Sequence, residues 1–233
     1  MRTALRYVAA ALVCAVAIAG ACAAPADGRT APAEASPALK AILERLQRHY
    51  QKTESFSAKF KEKITTAGGA NRDREGTVVY HKPGRMRWEF KEPQAETIVS
   101  DGTTLYSYEP DLNQVIETSV GRAFKSSAPA ALLLGIGSIE RDFSASLPDS
   151  PPADKLVHLS LKPKQGGSEV ALGLDRASYD VVTLTVTDEL GNTTAFEFSD
   201  IRTNAPLEDG LFHFKVPPGA DIVTAPATAP DAR

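Results

Sequence analysis

The chain has 233 residues, 42% hydrophobic and 24% charged, with a formal net charge of −3, which suits one good-sized core. A mildly acidic chain carries no nucleic-acid footprint. Both cysteines, Cys14 and Cys22, fall at the start, so the domain that follows has neither a disulfide nor a catalytic thiol, and packing alone must stabilise it.

Arg2 and Arg6 followed by the apolar run Tyr7 to Ala21 form a charged and then a greasy region too short to persist as a membrane span. Residues 1–24 read as a secretory signal peptide. Losing Arg2 and Arg6 takes the net charge from −3 to −5. Ala19-Gly20-Ala21-Cys22 also resembles a lipidation box, with Ala where Leu is usual, so lipidation of Cys22 competes with ordinary cleavage near Ala21 to Ala24. Residues 25–35, rich in Ala and Pro, read as a flexible arm, and residues 36–223 as one domain followed by a disordered tail, 224–233.

Ser36-Pro37 is an N-cap with Pro at the first helical position, and Leu39, Ile42, Leu43, Leu46 and Tyr50 repeat at three and four to give one apolar stripe on a helix ending near Lys52. Strands follow at Phe56 to Thr65 and Gly76 to His81, across the turn Ala67-Gly68-Gly69-Ala70. The clearest alternation is Met86, Trp88 and Phe90 against Arg85, Arg87 and Glu89, a half-buried antiparallel strand. Ser100-Asp101-Gly102 then turns into the next hairpin, and Gln114 to Thr118 completes a meander. The turn Pro129 to Leu134, with Leu132, Leu133 and Leu134, is apolar nearly all round. It is either core or a movable plug.

Beyond Pro152 four strands show one oily face each: Val157, Leu159 and Leu161; Val170, Leu172 and Leu174; Val182, Leu184 and Val186; Phe196 and Phe198. A last strand is predicted at Phe212 to Val216, and no parallel crossover is required. So many one-faced strands with little helix to cover them must curl. The predicted fold is α+β: an incomplete, open antiparallel β-barrel of roughly ten to eleven strands under a lid of short α-helices. Its concave face is lined by Trp88, Phe90, Val157, Leu159, Leu184 and Phe196; a filled barrel would satisfy the pattern equally.

Motifs for chemistry are absent. His49, His81, His158 and His213 stand on separate elements without ligand spacing, and no nucleophile elbow, zinc helix or phosphate loop occurs, so neither a metal nor another cofactor is expected. Ser100-Asp101 reads as turn chemistry rather than part of a triad. Lys82, Arg85 and Arg87 are a solvated strand face or a phosphate site.

The ordered set KPGRMRW (82–88), IVSDG (98–102), LYSYEP (105–110), QV (114–115) and VPPGADIV (216–223) resembles the periplasmic outer-membrane lipoprotein carrier family, LolA. The resemblance implies a monomeric, non-enzymatic carrier in the periplasm. Such a carrier takes acylated lipoproteins from an inner-membrane ATP-driven exporter and yields them to an outer-membrane receptor. It also implies a latch, an Arg before the Pro that bonds to the lid helices. This chain has Lys82 there, which leaves Lys82 or Arg85 for the role, and Met86 stands where Phe is frequent, keeping the cavity lining oily. Alternative readings on the same fold are a membrane-tethered lipid or glycolipid binder and an envelope-stress sensor; an esterase is a further rival.

Overall fold

The computed structural model describes residues 36–91, 93–121 and 139–224. Helix α1 spans Pro37–Lys52: the Ser36 hydroxyl accepts the Leu39 N–H at 3.2 Å, and Leu39, Leu43 and Leu46 form the buried stripe, with Ile42 packed beside it. Apart from a short helical turn at Ile139–Asp142 and 3₁₀ turns at Pro110–Leu112 and Asp209–Phe212, the other regular structure among the described residues is one twelve-stranded sheet. Its strands are β1 (Ser55–Thr65), β2 (Asn71–His81), β3 (Arg85–Phe90), β4 (Glu96–Asp101), β5 (Thr104–Glu109), β6 (Gln114–Ser119), β7 (Phe143–Ser146), β8 (Leu156–Pro163), β9 (Glu169–Asp175), β10 (Val181–Thr187), β11 (Thr193–Thr203) and β12 (Asp221–Thr224).

The order is β12-β6-β5-β4-β3-β2-β1-β11-β10-β9-β8-β7. Two meanders are therefore joined along β1 and β11, and the edges β7 and β12 do not pair, so the sheet is open. The core lies where the concave faces of both meanders meet under α1, and Leu159, Leu161, Leu172 and Leu174 are buried there with Phe60. Gly76 makes that approach feasible: a Cβ there would stand 1.9 Å from the Glu89 carbonyl oxygen and 2.8 Å from the Phe60 ring.

Several expectations are corrected. The described residues form twelve strands rather than roughly ten to eleven, because β7 and β12 carry too few apolar residues to register as alternation. The strand expected at Phe212 to Val216 is instead a 3₁₀ turn, Asp209–Phe212, followed by extended chain outside the sheet ladders. Its alternating aromatics pack flat on a sheet face. The last strand comes later, at β12, and pairs parallel with β6 (Asp221↔Gln114, Thr224↔Glu117), so one parallel pairing exists and order reaches Thr224. In β10 a register shift between Val181 and Thr183 puts Val181 in the core where Val182 was expected. The turn Pro129 to Leu134, with Leu132, Leu133 and Leu134, lies outside the described residues, as do residues 1–35 and 225–233.

Candidate functional site

A helix leaves its last carbonyls without intrahelical partners, and at α1 each of the last four has a named donor. Thr53 supplies its N–H (3.1 Å) and hydroxyl (2.9 Å) to His49 O. The Lys82 ammonium donates to Tyr50 O at 2.7 Å and to Gln51 O at 3.2 Å, and the Asn204 amide donates to Lys52 O at 3.2 Å. Lys82 thus places a full positive charge on the negative end of the helix dipole. The opposite flank of α1 is tied to the turn between β9 and β10. Arg45 donates to Ala177 O (2.9 Å) and lies 4.2 Å from the Tyr179 ring centroid, His49 meets Asp180 at 2.8 Å, and the Tyr50 hydroxyl accepts the Val181 N–H at 3.1 Å.

Beneath this helix end the concave face keeps a cleft of about 40 Å³ lined by Tyr50, Phe56, Val78, Tyr80, Met86, Trp88, Val181 and Phe198. Burial pushes the Tyr50 phenol upward, and pushes that of Tyr80 up to about 12, so both present neutral hydroxyls. Of the predicted lining, Met86 and Trp88 reach the cleft. Phe90 and Phe196 meet instead around Phe60, with ring centroids 5.1 and 6.0 Å from it, and Trp88 touches that ring too at 4.9 Å. Val157, Leu159 and Leu184 belong to the same continuous core. Tyr50, Phe56, Tyr80, Val181 and Phe198 were not predicted as lining, although Phe56 and Tyr80 continue the inward parity of Phe60 and Val78.

The two latch candidates separate. Lys82 reaches α1, whereas Arg85 points to the other side of the sheet, where it pairs with Asp209 at 3.0 Å and lies 5.2 Å from the Phe212 ring centroid. Arg87 donates to Leu211 O on that same side at 3.3 Å. Ser100 and Asp101 serve turns: the Ser100 hydroxyl donates to Gly84 O (2.8 Å), and Asp101 accepts the N–H groups of Thr103 and Thr104, both at 2.8 Å. Burial alone would raise the Asp101 carboxyl, but those donors hold it below the usual range. Among the described residues no group of three His, Cys, Asp or Glu side chains is placed to hold a metal ion, and no helix is long and apolar enough to cross a membrane.

The family model for the outer membrane lipoprotein carrier protein LolA matches residues 51–215. A Chromobacterium violaceum protein named outer-membrane lipoprotein carrier protein is 36% identical over 203 residues, spanning 87% of this chain and 94% of that one. The Cupriavidus necator protein of the same name is 33% identical over 193 residues, spanning 81% and 90%. Among solved structures, an uncharacterized conserved protein of Thermus thermophilus superposes with a TM-score of 0.51 at 15% identity, over 81% of this chain and 99% of that one, a likeness of fold.

Proposed function

This chain belongs to the outer-membrane lipoprotein carrier family, LolA, and from that premise we propose that it shields the acyl chains of lipoproteins between an inner-membrane ATP-driven exporter and an outer-membrane receptor. The observation that carries the reading is an apolar cleft under a helix two of whose last carbonyls are held by one lysine. At about 0.8 kcal/mol per methylene, one long acyl chain exposed to water costs roughly 10 kcal/mol, which an oily compartment offsets. The cleft at about 40 Å³ is too small for such a chain. Cargo must therefore displace α1 or the aromatic rings beneath it. Part of the binding energy goes into that opening, which keeps the complex loose enough to hand its cargo on.

In this scheme Lys82 is the latch. Lysine is a point charge with three mobile donors rather than a planar fork, so it can cover two carbonyls at once and let go of them without a fixed geometry to rebuild. Leu39, Ile42, Leu43 and Leu46 hold the lid side, and Met86 and Trp88 the acyl side. Removing the charge leaves Tyr50 O and Gln51 O without their donor, which costs the closed state about 1 to 3 kcal/mol and moves the equilibrium five- to a hundredfold toward open. Lys82→Leu is expected to bind a fluorescent acyl probe more tightly and to release acylated lipoprotein more poorly. Trp88→Asp is expected to remain folded and to bind the probe worse, because a carboxylate disfavours an alkyl chain. If both variants melt as folded proteins and bind the probe like the wild type, the cleft is not the carrier site.

The carrier reading also requires residues 1–24 to be removed and Cys22 to be free of lipid, since a tethered protein cannot shuttle. The intact mass of the protein from the cell envelope tests this. A diacylglyceryl group on Cys22 would overturn it.

A further inference from the structure

The register of β1 to β4 sorts the concave face into rows. Nearest α1 the row is Phe56, Tyr80, Met86 and Ser100; the next is Ala58, Val78, Trp88 and Ile98; the third is Phe60, Gly76, Phe90 and Glu96; the fourth begins Glu62 and Arg74. Successive rows stand about 7 Å apart, so the fourth lies about 20 Å from the first. The face turns abruptly from aromatic to charged. Arg74 donates to Glu62 at 2.5 Å and to Glu96 at 3.0 Å, while its guanidinium carbon lies 3.8 Å from the Phe90 ring centroid. The Ser107 hydroxyl donates to the other Glu96 oxygen at 2.8 Å. Glu62 and Glu96 are buried and Arg74 is largely so, with side-chain exposures of 10, 5 and 8% for Arg74, Glu62 and Glu96.

Beyond these residues the hairpin tips are stitched together. Ala67 N–H donates to the Asn192 side chain, and Gly167 N–H to Glu189, each at 2.9 Å, which joins the β1–β2, β8–β9 and β10–β11 turns. The opposite end carries α1 and its Lys82 tie. Two carboxylates against one guanidinium leave a buried net negative charge, which makes no sense as a stabilising device, because an apolar trio of similar volume holds such a site as well or better. It does make sense as a barrier. A methyl end pressed against it would displace hydrogen-bonding groups from charges that have no other solvation, and one more buried methylene does not offset that cost.

Building on the carrier reading, we infer that Glu62, Arg74 and Glu96 form the blind end of the acyl compartment: chains enter from the α1 end, and the triad sets the longest chain that fits. The test is a series of saturated fatty acids of increasing length competing with a fluorescent acyl probe on the mature protein. Wild-type affinity is expected to rise roughly fourfold per added methylene (about 0.8 kcal/mol) up to a cut-off. The triple variant Glu62→Met, Arg74→Met, Glu96→Leu is expected to melt at or above the wild-type temperature and to move the cut-off to longer chains. A folded triple variant with an unchanged cut-off overturns the inference, as does a wild type whose affinity never levels off. A second readout needs no variant. Trp88, the chain's one tryptophan, stands a row short of Phe60 and Phe90, so bromine at the terminal carbon of the longest bound acid should quench it less than bromine part-way along. Stronger quenching from the terminal position overturns the inference too. Failure of the wild type to bind any acyl chain sinks the carrier reading itself; binding without the cut-off behaviour sinks the blind end alone.

Discussion

The two faces of the β3–β6 meander are covered in different ways. On the convex side the 3₁₀ turn Asp209–Phe212 and the extended chain after it lie flat: Phe212 is 1% exposed, Val99 and Val115 are 0% exposed, and Phe214 stacks on Tyr106 with ring centroids 5.3 Å apart. On the concave side α1 leaves a cleft, and Lys82 spans its rim to the helix end. A cover anchored by a fully buried ring can be removed only by unfolding it, because interiors have no slack to take up. A cover over a cleft, held at one flank by a mobile ammonium, can open while the sheet beneath stays intact. Under the proposed carrier function the concave side is the working side, and the convex cover is a fixed brace.

The largest effect should come from the brace. Phe212→Ala removes a fully buried ring and is expected to cost about 3 to 5 kcal/mol. Thermal melting should fall by roughly 10 °C. Acyl-probe affinity of the molecules that remain folded should match the wild type. A gain in affinity as large as that of Lys82→Leu would mean the two covers open together, and the contrast between the faces would be lost.

The next effect belongs to the concave side and depends on pH. The Tyr80 phenol ionises near 10 when unfolded and, through burial, at about 12 in the folded protein. Between those values the unfolded chain gives up a proton that the folded chain keeps, so this contribution is whole below pH 10 and is lost as pH rises through 12. Two pK units amount to about 2 to 3 kcal/mol. Urea midpoints for the wild type should therefore fall more steeply over this window than those of Tyr80→Phe. Parallel curves for the two proteins would show that the phenol is solvated and the cleft wet.

Much of this contrast is visible in the sequence, and the rest is hidden for identifiable reasons. Alternation over Met86, Trp88 and Phe90 marks a one-faced strand, and Ser36-Pro37 with leucines at three and four marks α1 as its cover. A parity argument could have reached the triad, since Glu62 continues Ala58 and Phe60, and Arg74 continues Val78 and Gly76. Charged residues at the end of a strand read as solvated, however, and only the third dimension shows that Arg74 meets Glu96 from a strand 22 residues on. The β10 bulge hid Val181 because a single extra residue reverses parity without altering composition. Phe212 and Phe214 alternate like a strand because they pack on a flat surface, and packing on a sheet leaves the same pattern as joining one. The choice between Lys82 and Arg85 depended on which side of the sheet each faces, and the turn at Pro83-Gly84 sends them to opposite sides.

The smallest expected effect tests that choice. Arg85 lies three residues beyond Lys82, carries the same charge and sits in the same corner, so a latch that worked by charge alone would use either. The geometry separates them. Arg85 pairs with Asp209, which is 86% exposed, and exposed ion pairs contribute between nothing and about 1 kcal/mol. Asp209→Asn should therefore shift the melting temperature by no more than a few degrees, and the shift should vanish in high salt. Arg85→Ala also loses the guanidinium near the Phe212 ring, worth about 0.5 to 1 kcal/mol at a partly exposed site, so it should melt slightly lower than Asp209→Asn. Neither variant should alter acyl-probe binding, because neither touches a carbonyl of α1. Lys82→Leu, with a comparable change in charge, should alter it strongly. If Arg85→Ala instead tightened acyl binding as Lys82→Leu is expected to, the corner would act through its summed charge on the helix dipole, and the hydrogen bonds to Tyr50 O and Gln51 O would lose their special role.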